Sequence, residues 1–151
     1  ETGTEIKMHL PALIPDDYLP NISTRLVLYK RIAQAQGTEA LKDIQVEMID
    51  RFGLLPEATK QLFIQAEIRL RAQALGISEV DVGDAGGSVT FESTTPVPVN
   101  ALIGLLQSNP KEFKLAGSDT LRFIRELESG EARRHYIEKL MTQWEEACTS
   151  T

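Results

Sequence analysis

The chain changes from helical to strand-forming sequence at Ile77-Ser-Glu-Val-Asp-Val-Gly-Asp-Ala-Gly-Gly-Ser-Val-Thr-Phe91, and the class of fold follows from this change. The segments from Ile77 to Val82 and from Ser88 to Phe91 contain β-branched and aromatic residues, which is typical of strands. Between them, Asp84 to Gly87 supplies the glycines that a tight turn requires. The stretch therefore predicts a β-hairpin.

Helical periodicity dominates the sequence before this hairpin. Apolar residues recur three and four positions apart in three segments, and glycines or prolines separate the segments. These segments predict helices over about Asn21 to Gln36, Thr38 to Phe52 and Pro56 to Leu75. The predicted inward seam of the second helix consists of Leu41, Ile44, Met48 and Phe52. Thr38 is a plausible N-cap for that helix, because its hydroxyl can accept from an unpaired amide of the first turn.

Shorter elements are predicted at both ends of the chain. Ile6, Met8 and Leu10 alternate with polar residues, which predicts a first strand, and three prolines make residues 11–20 an extended connector. The remaining predictions are a helix over Val99 to Gln107, strands over Glu112 to Leu115 and Thr120 to Ile124, and a helix over Glu131 to Glu146.

Because helices and strands are segregated along the chain, the fold class predicted is α+β. We expect helices packed on a small, largely antiparallel sheet in a single compact domain. That domain is placed at residues 6–147, after an N-terminal linker at residues 1–5 and before a tail at residues 148–151.

Composition argues against several classes of protein. The net charge of −6 opposes a phosphate-binding surface, so we expect no strong DNA binding by this chain. No apolar stretch approaches the roughly 20 residues that cross a bilayer, so we expect no membrane partner and a cytoplasmic location. The single cysteine, Cys148, excludes an internal disulfide. The sequence opens at Glu1 without a methionine, as a fragment would, so we expect the function to belong to a parent protein.

The sequence contains no constellation typical of catalysis. Gly86-Gly87 lies between strand-like segments, where a turn is more plausible than a phosphate loop. His9 and His135 lack any motif around them, and we treat them as ordinary surface or boundary residues. The acidic pairs at 16–17 and 145–146 are typical of solvated or capping positions. We therefore expect no catalytic residue, no cofactor and no metal, and an unrecognised hydrolase is a weak alternative.

Two local basic spots leave a second alternative open. Arg69 and Arg71 lie on the third predicted helix, and Arg133, Arg134 and Lys139 lie on the last. Nearby glutamates dilute both spots, so solvated faces with ion pairs four residues apart explain them best. The alternative is that the second spot contacts DNA.

The segment Glu47-Met-Ile-Asp-Arg-Phe-Gly53 carries the most informative charges. At about 100° per residue, Glu47, Asp50 and Arg51 share one outward flank of the helix, whereas Met48 continues the inward seam. One interpretation is a simple ion pair between Glu47 and Arg51. The other is a docking surface on which mixed charges set the register with a partner protein.

Five quoted stretches carry a resemblance to a known family along most of the chain. They are Pro11-Ala-Leu-Ile-Pro-Asp-Asp-Tyr-Leu-Pro20, Thr24-Arg-Leu-Val-Leu-Tyr-Lys-Arg-Ile-Ala33, Glu47 through DRFGLLP to Pro56, Ala74-Leu-Gly-Ile77 and Leu102-Ile-Gly-Leu-Leu106. Together with the final helix, they resemble the C-terminal domain of the bacterial transcription-repair coupling factor family, Mfd. The resemblance covers roughly residues 5–146.

The resemblance implies a regulatory role without catalysis in this chain. In the family, the full-length factor is an ATP-driven DNA translocase that removes stalled RNA polymerase and recruits the excision-repair protein UvrA. Its C-terminal domain packs on an N-terminal UvrB-like module of the same polypeptide and covers the UvrA-binding surface. The residues of that contact correspond here to Glu47, Asp50 and Arg51, which favours the docking interpretation of this trio.

Overall fold

The computed structural model describes residues 3–150 and divides the chain into two compact units. We call residues 10–70 the helical unit, and residues 3–9 with 71–150 the sheet unit. Helices α1, α2 and α3 span Ile22–Gln34, Thr38–Phe52 and Glu57–Ala74. The other elements are β1 (Glu5–Lys7), β2 (Ile77–Gly83), β3 (Gly86–Phe91), α4 (Val99–Ser108), β4 (Phe113–Ala116), β5 (Thr120–Ile124) and α5 (Gly130–Thr149).

The helical unit is organised around one apolar core. Helix α1 begins where the Asn21 side chain accepts from the amide of Thr24 at 2.8 Å. Helix α2 ends at Gly53, which has a φ of 100° and whose amide donates to the carbonyl of Ile49. The buried residues of this core are Ile14, Leu19, Leu28, Ile32, Ala35, Leu41, Ile44, Met48, Phe63 and Ala66. The predicted seam of α2 is thus confirmed, with Phe52 partly buried at its end.

The connector before α1 is fixed by hydrogen bonds within the helical unit. The amide of Leu13 donates to the carbonyl of Ala58, and the Thr59 hydroxyl donates back to the carbonyl of Leu13. The Tyr18 hydroxyl donates to the carbonyl of Gly53 at 2.8 Å. These bonds hold the proline-rich segment in one conformation, in which Ile14 and Leu19 are buried.

The sheet unit contains a five-stranded sheet in the order β1-β2-β3-β5-β4. Neighbouring strands pair antiparallel except β1 and β2, which pair parallel. The predicted hairpin is present as β2 and β3, and Gly86 has a φ of 127° at its turn. The prediction of an α+β fold with a small, largely antiparallel sheet is confirmed.

Helix α5 packs on one face of this sheet through aromatic contacts. Trp144 meets Phe91 edge to face at 5.2 Å between ring centroids, and Tyr136 meets Phe123 at 5.0 Å. The helix begins at Ser129, whose hydroxyl accepts from a first-turn amide. The opposite face of the sheet carries the polar residues of the alternating strands.

Two local predictions were wrong. The first strand ends at Lys7 and does not continue to Leu10, because His9 adopts a φ of 57°, which no extended strand accommodates. Thr38 is the first helical residue of α2, and Gly37 before it makes no side-chain capping bond. Within residues 3–150, no helix combines the length and the apolar character that a membrane span needs.

Candidate functional site

The candidate site is the outward flank of α2 that the sequence analysis identified. Its seam residues point into the core, which leaves Asp50 and Arg51 exposed and Glu47 about one third exposed. The helical register therefore brings the three predicted site residues onto one surface.

The carboxylate of Glu47 is the centre of an ion cluster. Arg51 donates from Nη1 to Oε2 of Glu47 at 3.1 Å, which is the predicted pair between positions four apart. Arg31, from the last turn of α1, donates to the same carboxylate with both terminal nitrogens, at 3.0 Å and 3.1 Å. One carboxylate is thus shared by arginines from two helices.

Arg31 is a site residue that sequence reasoning missed. Its only sequence signal was a basic residue in the last turn of a helix, which is a common position because the negative end of the helix dipole favours it. The contact with Glu47 joins α1 to α2, and no spacing rule within one helix predicts it. We call Arg31, Glu47, Asp50 and Arg51 the charged face.

The electrostatics of the charged face follow from these contacts. The pKa of Glu47 is lowered, first by the hydrogen bond from Arg31 and to a lesser extent by Arg51. The pKa of Arg31 is raised by the same hydrogen bond. Because all three side chains remain substantially solvated, the ion pairs contribute little to stability and can exchange partners at low cost.

Asp50 differs from Glu47 and Arg51 because its side chain forms no ion pair in the described part of the chain. Among residues 3–150, no side chain or amide forms a hydrogen bond or ion pair with its carboxylate. The guanidinium of Arg51, by contrast, also lies over the ring of Phe52 at 4.7 Å from the centroid. The charged face therefore presents one free acceptor beside a positioned donor.

Large apolar side chains are exposed on the same two helices. Unpaired apolar surface of this kind is typical of regions that bind another protein. The exposed residues of α1, α2 and the turn after α2 are Ile22, Leu26, Val27, Val46, Ile49 and Leu54. Leu54 is the most exposed of them at 85%.

The basic spot on α5 does not form the surface that the sequence suggested. Arg133 is only 7% exposed, and its guanidinium donates to the carbonyls of Leu127 at 2.8 Å and Met8 at 3.0 Å. Arg134 pairs with Glu138 one turn later. Interpreting Arg133 as part of a solvated face was therefore wrong, and its guanidinium is not available to a phosphate.

The other basic spot is also committed to internal contacts. Arg69 donates to the carbonyl of Ala33 at 2.8 Å and to that of Ala35 at 3.3 Å, at the end of α1. Burial lowers the pKa of Arg69. Arg71 donates from two nitrogens to Glu145 within the sheet unit. Neither arginine uses the pairing between positions four apart that the sequence suggested.

The structure places the two histidines in ordinary surroundings. His9 is exposed, and its Nε2 lies 2.8 Å from Oδ1 of Asp81. His135 is exposed on α5. Gly86-Gly87 lies in the β2–β3 hairpin, where the sequence placed a turn and not a phosphate loop.

Comparisons with known proteins identify what the chain is similar to. A family model described as the TRCF domain matches residues 8–102. The chain is 41% identical over 143 residues to the transcription-repair-coupling factor of Escherichia coli (strain K12), which covers 95% of this chain and 12% of that protein. It is 37% identical over 137 residues to the transcription-repair-coupling factor of Haemophilus influenzae, covering 91% of this chain and 12% of that protein.

A solved structure supports the fold independently of sequence. The crystal structure of the C-terminal domain of transcription-repair coupling factor superposes with a TM-score of 0.79 at 19% identity, covering 99% of this chain and 96% of that one. The chain thus corresponds to about an eighth of the length of these two curated relatives, and to nearly the whole of one solved domain.

Proposed function

This chain belongs to the TRCF domain family, and from that premise we propose that it acts as a non-catalytic regulatory domain that binds another part of its parent protein. The parent is a transcription-repair coupling factor, an ATP-dependent DNA translocase that displaces stalled RNA polymerase and recruits UvrA for nucleotide-excision repair in the cytoplasm. The domain docks on the N-terminal UvrB-like module of the same polypeptide. By docking there, it masks the UvrA-binding surface and holds the factor in an autoinhibited state.

The charged face of the helical unit is the observation that carries this proposal. Glu47, Asp50 and Arg51 lie together on the surface of α2, and Arg31 fixes the position of the Glu47 carboxylate. A surface that combines positioned charges with exposed apolar side chains suits a specific but reversible protein contact. The Asp50 carboxylate is open to a basic group of the partner.

The energetics of the charged face suit an inhibitory contact that must open. Exposed ion pairs are each worth little, so exchanging an internal pair for a partner costs little free energy. If the docked module and UvrA compete for one surface, each weakens the apparent affinity of the other by the same factor. The docked state is then released when the motor region changes conformation and favours the open state.

The direct test is a calorimetric titration of this chain with the UvrB-like module of the same factor, at low and moderate salt. The test variant replaces Glu47, Asp50 and Arg51 with alanine. A matched control replaces Glu39, Lys42 and Asp43, which are exposed on the same helix and carry the same combination of charges. We expect salt-weakened binding that the test variant reduces at least tenfold and the control leaves within about twofold.

Two results would contradict the proposal. If the unmodified chain and the test variant bound the module with equal affinity, the charged face would not take part in the contact. The second result is an absence of binding in the titration and also when a flexible linker joins the two parts and raises their effective concentration. That result would show that the domain does not dock on the module.

A further inference from the structure

The face of the sheet opposite α5 presents an ordered row of charges. Pairing across the five strands aligns Lys7 with Asp81, Asp81 with Ser88, Ser88 with Arg122, and Arg122 with Lys114. Neighbouring residues along each strand point the other way, so Val80, Val82, Val89, Leu121 and Phe123 are buried on the α5 side. The row is therefore a surface feature that belongs to the sheet unit alone.

The two ends of this row differ in how their charges are satisfied. At the β1–β2 end, Lys7 pairs with Glu79 at 3.1 Å, and His9 lies 2.8 Å from Asp81. Both carboxylates of this end are thus engaged by neighbouring basic side chains. Neither of these two carboxylates is paired with a cation at the other end.

At the β4–β5 end, two cations face each other without a counter-charge. Lys114 and Arg122 are directly opposite on neighbouring strands, and both are exposed. Within residues 3–150, no carboxylate forms an ion pair with either of them. Like charges directly opposite each other destabilise a sheet. A bound anionic group between them would remove that repulsion.

The surface between the two ends is concave. Ser88 separates Asp81 from Arg122 and has a short side chain, and the strands enclose a cleft of about 790 Å³. Ile124 also lines this cleft and is 64% exposed. An isoleucine this exposed gains free energy when an apolar group covers it.

We propose that this concave outer face of the sheet binds an extended polypeptide segment that carries acidic side chains and, two residues further along, an apolar one. The carboxylates occupy the space between Lys114 and Arg122, and the apolar side chain covers Ile124. A segment in extended conformation fits, because its alternate side chains project to one side at the spacing of neighbouring residues on a strand.

Charge and apolar character favour a polypeptide over a nucleic acid. The chain carries a net charge of −6, which repels a phosphate backbone at long range. In the cleft, Asp81 and Glu112 are paired with His9 and Arg125. A short acidic segment therefore meets Lys114 and Arg122 as cations that are unpaired within residues 3–150, with Asp84 as the remaining carboxylate of the lining. An exposed isoleucine gives no favourable contact with phosphate groups. This site lies in the sheet unit, and the proposal does not depend on the charged face of the helical unit.

The test is a nuclear magnetic resonance titration of the whole chain with the peptide acetyl-Glu-Ser-Glu-Ser-Leu-Ser-amide, whose carboxylates and leucine project to one side when it is extended. Peptides with glutamine or lysine in place of glutamate, and a short DNA duplex, serve as comparison probes. The test variant combines Lys114→Gln and Arg122→Gln. The matched control combines Lys60→Gln and Lys111→Gln, which remove the same charge from exposed positions that do not line the cleft.

We expect saturable shifts of the amide signals of Ser88, Thr90 and Arg122 with the acidic peptide alone. The test variant should weaken this binding at least tenfold, because it removes both charge-assisted contacts, and the control should change it less than twofold. The variant Ser88→Asp, which places a carboxylate beside Arg122, should also abolish binding while keeping the spectrum of a folded chain.

Three outcomes overturn the proposal. The first is an absence of saturable shifts with the acidic peptide. The second is equal binding of the glutamine peptide, or binding that neither the test variant nor Ser88→Asp weakens. The third is tighter binding of the DNA duplex with the same set of shifts, which would assign the cleft to nucleic acid.

Discussion

In the sheet unit, Arg133 is buried and donates to the carbonyls of Leu127 and Met8, whereas in the helical unit Arg31 and Arg51 stay at the surface and share the carboxylate of Glu47. A buried guanidinium bonded to main-chain carbonyls cannot leave without exposing those carbonyls to an apolar interior. An exposed guanidinium exchanges one carboxylate for another at little cost. The same residue type therefore stabilises the first unit and leaves the second ready for a partner.

Exposed apolar residues show the same contrast between the units. Of the eleven large hydrophobic residues exposed within residues 3–150, seven lie in the helical unit, although it is the smaller of the two. The sheet unit instead buries its only tryptophan and the aromatic rings beside it. The exposed apolar surface is therefore concentrated on the helical unit.

The largest effect is expected from Arg133→Ala. Removing this side chain leaves buried carbonyls without a donor, and we expect a loss of about 2–4 kcal/mol in the free energy of unfolding. Urea denaturation followed by the fluorescence of Trp144 measures it, because that residue is buried in the sheet unit. Arg134→Ala is the control and should cost below about 0.5 kcal/mol, since it breaks only an exposed pair with Glu138. A similar loss of stability in the two variants would contradict the idea that the buried Arg133 stabilises the fold more than an exposed arginine does.

Arg69→Ala tests whether the helical unit also contains a structural arginine. Its guanidinium donates to carbonyls at the C-terminal end of α1, so we expect the free energy of unfolding to fall by about 1–2 kcal/mol. Urea denaturation followed by circular dichroism measures this change. Lys60→Ala, exposed on the same helix, serves as the control and should leave stability nearly unchanged. If Arg69→Ala behaved like that control, the bonds from Arg69 to the end of α1 would contribute nothing to stability.

The smallest effect concerns the titration of Glu47. Its pKa lies below the ordinary glutamate value of about 4.3. The unfolded chain therefore binds more protons in that range, and the stabilisation present at neutral pH is lost as the pH falls through the lowered pKa. Arg31→Ala should return the pKa of Glu47 toward its ordinary value more than Arg51→Ala does, because Arg31 is the larger cause. Carboxyl resonances recorded during an acid titration measure the pKa of Glu47 in both variants. A larger change with Arg51→Ala than with Arg31→Ala would contradict this prediction.

Local patterns predicted the elements of the fold. The spacing of Leu41, Ile44 and Met48 identified the buried side of α2, and the glycines before Ser88 identified the hairpin. Both signals arise within a few residues, where periodicity and turn chemistry act directly. The end of the first strand was missed, because nothing in the alternating pattern signals the left-handed conformation of His9.

Non-local contacts limited prediction of the candidate site. The sequence placed Glu47, Asp50 and Arg51 on one flank from helix geometry alone. It gave no indication that Arg31, on another helix, binds Glu47. The burial of Arg133 was equally hidden, because one of its carbonyl partners, Met8, lies 125 positions away. Pattern rules describe neighbours in sequence, whereas these arginines are positioned by neighbours in space.

The parallel pairing of β1 with β2 also sets an order of events during synthesis. The Thr4 hydroxyl and the Ile77 carbonyl, which meet beside this pair, are 73 positions apart. At about 5–20 residues per second, a ribosome needs roughly 4–15 seconds to reach the second partner after making the first. During that interval β1 has no partner strand to bind, while the three helices that lie between β1 and β2 in the sequence are synthesised. The first strand thus gains its partner only after the three helices between the two strands have been synthesised.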